Sequence, residues 1–317
     1  MTRTIVPAAE SELHQALRSA VRDIARSFGP DYFQQQVETG GNAAQLWDAL
    51  GSAGYLGVHL PAEYGGGGLG LRELAIVVEE TALAGVPALS ILFSPGVLGT
   101  ILDRSASAEQ KQRWLPDLAT GALRMSFAIT EPDAGSNAHR IATTARRDGD
   151  DYLLSGQKYY ITGVESAAQV MVVARTGEDP DTGRGRLSVF MVDAGAPGFT
   201  RTQIRTVMGM PEKSWQLFFD DVRVPAANLI GAEGRGLAVA FTGLNTERIL
   251  TSSICTGIGR YALAKAVHYA RDRSVWGVPI GSHQAVAHPL AAAHIHLQAA
   301  VRMTEDACAR YDAGAEV

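Results

Sequence analysis

Two runs constrain this chain more than any other part of it: Thr130-Glu131-Pro132-Asp133-Ala134-Gly135-Ser136 and Gly156-Gln157-Lys158-Tyr159-Tyr160-Ile161-Thr162. Each joins a β-rich segment to a hydroxyl residue. The first adds a tight Pro/Gly turn, the second an aromatic pair. Strand ends of this kind can offer donors to the edge of a flat, polar-edged heterocycle and cover one of its faces with a ring. A Gly-Ser turn can bring backbone N–H groups up to a phosphate. The runs lie mid-chain, between zones with a helical pattern, so the fold must set a β layer among helices.

Three zones follow from the periodicities. In residues 1–122, Leu13, Leu17, Val21, Ile24 and Phe28 recur at spacings of three and four until Gly29-Pro30 stops the run. Further helical stretches hold Leu46, Trp47 and Leu50, then Leu71 to Ala84, with a loop at Pro61–Gly68 between them. Residues 123–232 carry short β-rich segments separated by Gly, Asp and Pro turns: Arg124–Thr130, Tyr152–Leu154, Lys158–Thr162, Val170–Arg175, Leu187–Val192 and Trp215–Phe219. This spacing predicts an antiparallel β-domain, not βαβ units. Residues 233–317 return to long helices around a turn at Pro279–Ser282. Two helices alone leave an apolar stripe uncovered, so this zone is expected to be a partial helical bundle, or to pack on another subunit. The class is α+β.

Composition narrows the function. With 46% hydrophobic residues over 317 positions, the chain can bury a large core. The formal net charge of -5 lacks the basic face that nucleic acid selects. No apolar run reaches the ~20 residues of a membrane span, and the N-terminus lacks a leader pattern. Two cysteines, Cys255 and Cys308, point to free thiols in a cytoplasmic enzyme. His283, His288, His294 and His296 suggest a metal, but His294 and His296 face nearly opposite sides of a helix, and no metal site is expected.

Glu247 is the carboxylate that stands out. Projected on a helix from Leu237, it shares an arc with Phe241, Leu244, Arg248, Thr251, Ile254, Cys255 and Ile258. A carboxylate on an apolar stripe is costly unless paired or used. Burial would raise its pKa and make it a better base. The plain alternative is a solvated or locally paired side chain at the stripe's edge.

Together the two opening runs resemble the flavin-binding signature of the acyl-CoA dehydrogenases. Three further stretches resemble that family in the same order: Pro61–Gly70; Leu217–Pro225 followed by Gly231–Gly236; and Arg273–Ile280 followed by Gln284. Two positions depart mildly. Tyr160 stands where many members have Trp, and Asn137 stands where Asp is usual. The resemblance also implies further helices beyond Val317, which in many members carry the catalytic Glu.

The resemblance implies FAD as cofactor and an acyl-CoA thioester as substrate, oxidised to a trans-2-enoyl-CoA. It implies that Thr130 and Thr162 donate to the isoalloxazine edge. Ile129 would offer backbone groups, Phe127 a packing face and Tyr160 an aromatic platform. Gly135 and Ser136 would approach the pyrophosphate, with Ser136 also near CoA. Arg273, Trp276 and Gln284 would reach the FAD of a neighbouring subunit. Glu247 would be the base, as in the isovaleryl-CoA type, with a base beyond Val317 as its competitor. Arg248, Leu244 and Asn245 would meet the substrate, although Arg248 suits a structural ion pair almost equally well. Implied partners are an electron-transferring flavoprotein and other subunits, in a homodimer, a tetramer or a heteromer. Two other functions fit the same residues: an oxygen-using flavin oxidase or monooxygenase, and a non-catalytic, partner-dependent subunit of a heteromeric dehydrogenase.

Overall fold

The computed structural model describes residues 10–181 and 183–315. The expectation of no N-terminal leader falls on residues 1–9 and lies outside them. The first helical zone comprises α1 (Glu12–Thr39), α2 (Ala44–Ser52), α3 (Leu71–Leu83), α4 (Leu89–Ile91), α5 (Thr100–Ser105) and α6 (Ala108–Thr120). Gly29, at φ 69° and ψ −177°, breaks α1 into two helical stretches, at the stop signal seen in the sequence. A π-helical stretch over Leu92–Gly99 joins α4 to α5 and has no counterpart among the sequence expectations. Ser107 and Gln110 close a capping box on α6.

The central zone is one sheet built from β1 (Met125–Ala128), β2 (Thr144–Asp148), β3 (Asp151–Thr162), β4 (Gln169–Glu178), β5 (Gly185–Asp193), β6 (Phe199–Ile204), β7 (Ser214–Pro225) and β8 (Leu229–Ile230). Its order is β6-β7-β3-β2-β4-β5-β8, with β1 added against β4. Most pairs are antiparallel, but β1 and β2 each meet β4 in parallel. The segments expected at Tyr152–Leu154 and Lys158–Thr162 are one strand, bulged at two places where it pairs with β7.

Burial alternates along β4. Val170, Val172 and Ala174 join one apolar cluster with Tyr152, Phe190 and Val222. Met171 and Val173 join the other, with Leu74, Leu98 and Leu115 from the helices. The strand is therefore buried on both faces, and one of them is the seat for the helices.

The last zone holds α7 (Gly236–Asp272), a hairpin of β9 (Ser274–Val275) and β10 (Val278–Pro279), and α8 (Gln284–Asp312). The expected apolar arc of α7 meets its buried face only at Ile254. Phe241 and Ile258 are 47% and 43% exposed, and Thr251 and Cys255 are exposed as well. The buried face is made of Val239, Ala240, Gly243, Thr246, Ile249, Leu250, Ser253, Ile254, Thr256 and Gly257. Small residues on that face (Ala240, Gly243, Ser253, Gly257) let α7 lie close against its neighbours, while Phe241 lines a cleft and Ile258 stands uncovered. No helix among the described residues is long and apolar enough to cross a membrane.

Candidate active site

A cleft of about 1010 Å³, partly open to solvent, lies between the sheet and the first turns of α7. The sheet side contributes Phe127, Ile129, Thr130, Gly135, Ser136, Tyr160 and Thr162. The helix side contributes Leu237, Phe241, Leu244, Glu247 and Arg248, and Phe93 closes part of the floor. The helix residues share a wall because spacings of three and four repeat one face. Two runs separated by about 25 residues in sequence meet because the Thr130 carbonyl accepts the Tyr159 N–H at 2.9 Å.

The edge of the cleft is tied from behind. Ser126 Oγ donates to the Thr162 carbonyl at 2.9 Å. Lys158 Nζ donates to the Ile129 carbonyl at 3.0 Å and to Glu131 Oε1 at 2.8 Å. Glu131 also accepts the N–H groups of Ala142 (2.7 Å) and Thr143 (3.0 Å). Lys158 is 0% exposed and Glu131 is 6% exposed. Burial draws the Lys158 ammonium down to about 8 against the pull of Glu131. Burial pushes the Glu131 carboxyl up, but Lys158 and the two N–H donors outweigh it and hold it below the ordinary range. At neutral pH the pair is therefore an ion pair. Neither residue is among those the sequence singles out for a role. The available signal was a charged residue at an inward position of a strand, within one of the two opening runs.

Gly156, at φ 144°, accompanies the first bulge of β3; a Cβ there would come within 2.7 Å of Thr143 Cα. At the second bulge Tyr160 takes φ 58°, the left-handed region, and is 57% exposed with its ring edge-on to Tyr159. The turn Glu131–Ala134 is closed by reciprocal N–H to carbonyl bonds of 3.0 and 3.2 Å.

On the helix side Glu247 is half-buried. Desolvation raises its pKa, and Arg248 opposes the rise. Arg248 donates to Asn245 Oδ1 at 2.7 Å, and among the described residues it forms no ion pair within 4 Å. Asn245 itself does not line the cleft.

Arg273, Trp276 and Gln284 stand apart, Arg273 and Trp276 on the surface beyond the end of α7 and Gln284 at the start of α8. Arg273 follows the end of α7, about seven turns or about 39 Å beyond Glu247. Trp276 (φ 55°) and Gly277 (φ 82°) form the two-residue turn between β9 and β10, and Trp276 is 88% exposed. Its ring meets His283, edge-on at 5.8 Å. His294 and His296 lie on α8. Among the described residues, no group of three or more His, Cys, Asp or Glu is placed to hold a metal.

Descriptions of the acyl-CoA dehydrogenase N-terminal, middle and C-terminal domains match residues 11–122, 126–222 and 234–317. Acyl-CoA dehydrogenase FadE12 of Mycobacterium tuberculosis is 48% identical over 305 residues, 96% of this chain and 78% of that one. The chain belongs to the acyl-CoA dehydrogenase family. Solved structures of this dehydrogenase's relatives share its fold. Butyryl-CoA dehydrogenase from Megasphaera elsdenii superposes with a TM-score of 0.91 at 27% identity, covering 98% of this chain and 82% of that one. A glutaryl-CoA dehydrogenase from Mycobacterium smegmatis, in complex with FADH2, gives 0.89 at 27% identity over 97% and 78%.

The cleft of this dehydrogenase fits FAD. The carbonyls of Ile129, Thr130 and Thr162 are all occupied from within the chain. The hydroxyls of Thr130 and Thr162 make no hydrogen bond to another described residue. The edge thus presents donors to a ring whose own edge is rich in acceptors. At Gly135 an added Cβ would meet nothing within 4 Å, which leaves open space beside the turn.

Proposed function

We propose that the chain is an FAD-dependent dehydrogenase that oxidises an acyl-CoA thioester to its trans-2-enoyl-CoA, with Glu247 as the base. One observation carries this reading: a half-buried carboxylate with a raised pKa faces a donor-lined heterocycle edge across a single cleft. FAD held there would supply the acceptor for the hydride that leaves the β-carbon.

The chain's own residues account for the rest. Glu247 takes the α-proton. Desolvation lifts its pKa towards neutrality and so improves its match to a weak carbon acid. The Phe241, Leu244 and Phe93 side chains keep water from the acyl chain and from the carboxylate. Arg248, held by Asn245, guards the mouth and takes the polar arm of CoA; Ser136 and Leu244 flank it. Thr130 and Thr162 orient the isoalloxazine, with Ile129, Phe127 and Tyr160 around it and Gly135 and Ser136 by the pyrophosphate.

We assign Arg273, Trp276 and Gln284 to the FAD of a second copy, because their distance along α7 removes them from their own chain's cleft. The working form is then at least a dimer. Exposed Ile258, Ile295 and Met303 on α7 and α8 supply apolar surface for assembly. We further infer three domains (1–122, 123–232 and 233–317), a cytoplasmic setting in fatty-acid breakdown, and reoxidation by an electron-transferring flavoprotein.

The test is the visible spectrum of the purified protein, recorded without oxygen before and after a panel of acyl-CoAs. Bleaching of an oxidised flavin band by one thioester class is the expected result. A flavin left oxidised by every thioester would overturn the dehydrogenase reading.

A further inference from the structure

Removal of the α-proton and the β-hydride makes no use of a charge buried behind the cleft edge. Lys158 is fully enclosed, and its ammonium bridges Glu131 Oε1 and the Ile129 carbonyl. Glu131 in turn holds the backbone N–H groups of Ala142 and Thr143 at the entry to β2. Stability alone is a weak reason for such a pair, since replacing a buried ion pair with apolar residues of similar volume is often neutral or better. Its placement supplies a stronger reason. Ile129 lines the cleft next to Thr130, and its carbonyl is held by the enclosed Lys158 ammonium. Without that anchor the backbone that carries Ile129 and Thr130 along the cleft edge would lose its tie to the strand behind it.

We propose that Lys158 and Glu131 are a positioning pair for the FAD site: the Lys158 ammonium holds the Ile129 carbonyl from behind and so fixes the backbone that carries Ile129 and Thr130 on the cleft edge. The proposal rests on the FAD reading above. The same logic runs through the neighbouring groups. Thr130's carbonyl is taken by the Tyr159 N–H and Thr162's by the Ser126 hydroxyl, while the two threonine hydroxyls remain unengaged among the described residues. Three carbonyls are tied from within the chain, and two hydroxyls on the cleft edge are left free to donate. Glu131 cancels the charge of Lys158, so the pair acts through the orientation of hydrogen bonds and not as a net field.

The experiment compares three variants of the whole chain with the wild type. Lys158→Met/Glu131→Gln removes both charges and the donor to Ile129, while the new amide oxygen can still accept an N–H from Ala142 or Thr143. Lys158→Gln/Glu131→Gln removes both charges but restores a neutral donor. Val222→Ala weakens the other apolar cluster of the sheet and serves as a control for lost stability. The measurements are FAD affinity by fluorescence quenching, the visible band of bound flavin, and Tm by circular dichroism.

The Met/Gln variant should bind FAD about tenfold or more weakly, as the loss of one desolvated hydrogen bond implies, with a shifted visible band. The Gln/Gln variant should bind within about threefold of wild type, a gap of about 0.6 kcal/mol. Val222→Ala should bind like wild type whatever its Tm. Wild-type affinity in Met/Gln would overturn the positioning role. If Met/Gln does not fold, Gln/Gln decides alone: tenfold weaker binding there overturns it. Absence of FAD uptake by the wild type overturns the flavin reading itself, and this proposal with it.

Discussion

The two ends of α7 carry the two sets of residues that the sequence directed at flavin, one at the chain's own cleft and one at a neighbouring subunit's, and the chain holds them in opposite ways. At the N-terminal end, Leu237, Phe241, Leu244, Glu247 and Arg248 face a cleft whose far edge is fastened by a buried ion pair and two further hydrogen bonds to carbonyls. At the C-terminal end, Arg273 and Trp276 sit on a surface hairpin with Gln284 just beyond it, and the Trp276 ring packs edge-on to His283. The first region is fixed by its own chain. The second is exposed and has little packing of its own beyond the Trp276–His283 contact. On the proposed reading, the residues for one ligand divide into a set that the single chain orders and a set that a second copy would have to order.

The most severe way to break the ordered region is Glu247→Gln. Loss of a positioned base costs about 10²–10⁴-fold in rate. We expect that loss in substrate-dependent bleaching, with FAD still bound. An active Glu247→Gln protein would place the base elsewhere. The wild type should also show an acid limb above the ordinary carboxylate range, because only the deprotonated form works and desolvation raises the pKa. Linkage fixes the sign for stability. A carboxyl with a raised native pKa binds more protons folded than unfolded between its two pKa values. Its contribution to stability therefore falls as pH rises through that window. Glu247→Gln should accordingly melt higher than wild type at pH 7 and show no such decline.

The exposed region breaks differently. Arg273→Ala and Trp276→Ala leave every cleft residue in place, so stability should hardly change. FAD retention should fall about tenfold or more, as expected when charge-assisted bonds to a phosphate are lost. The loss should resemble dilution of wild type below its assembly concentration, as followed by gel filtration with flavin absorbance. Undiminished FAD binding in both variants would confine the site to one chain's cleft and remove the distinction between the two regions.

The regions also differed in how much the sequence revealed. The helix-β-helix order was readable because period-4 and period-2 patterns and their Gly/Pro stops are local. The cleft residues of the two runs were readable because each run sits at a strand end. The π-helical stretch was hidden because an apolar stretch that is buried nearly all round has no distinctive period. Strands β2 and β6 were hidden because their exposed, polar residues break alternation. The buried face of α7 was misjudged for a related reason. Projection ranks side chains by apolarity, whereas close helix packing selected Ala240, Gly243, Ser253 and Gly257 for their small size. The role of Lys158 depended on a tertiary fact, that Ile129's carbonyl lies within its reach.

Tyr160 gives the finest comparison, because it belongs to the ordered region yet is itself strained and exposed. Its φ of 58° costs a non-glycine residue about 1–2 kcal/mol. Tyr160→Gly removes that strain. Against it stand the edge-on contact with Tyr159, worth about 0.5–1.5 kcal/mol, and the extra chain entropy of glycine, about 0.5–1 kcal/mol. The terms nearly cancel, so chemical denaturation should shift by no more than about 1 kcal/mol. The flavin site should not be neutral to the change: with the ring gone, the bound FAD band should move towards that of free flavin. A stability loss above about 2 kcal/mol with an unmoved band would make Tyr160 a fold residue, and the bulge that turns it outward would then have no functional reason.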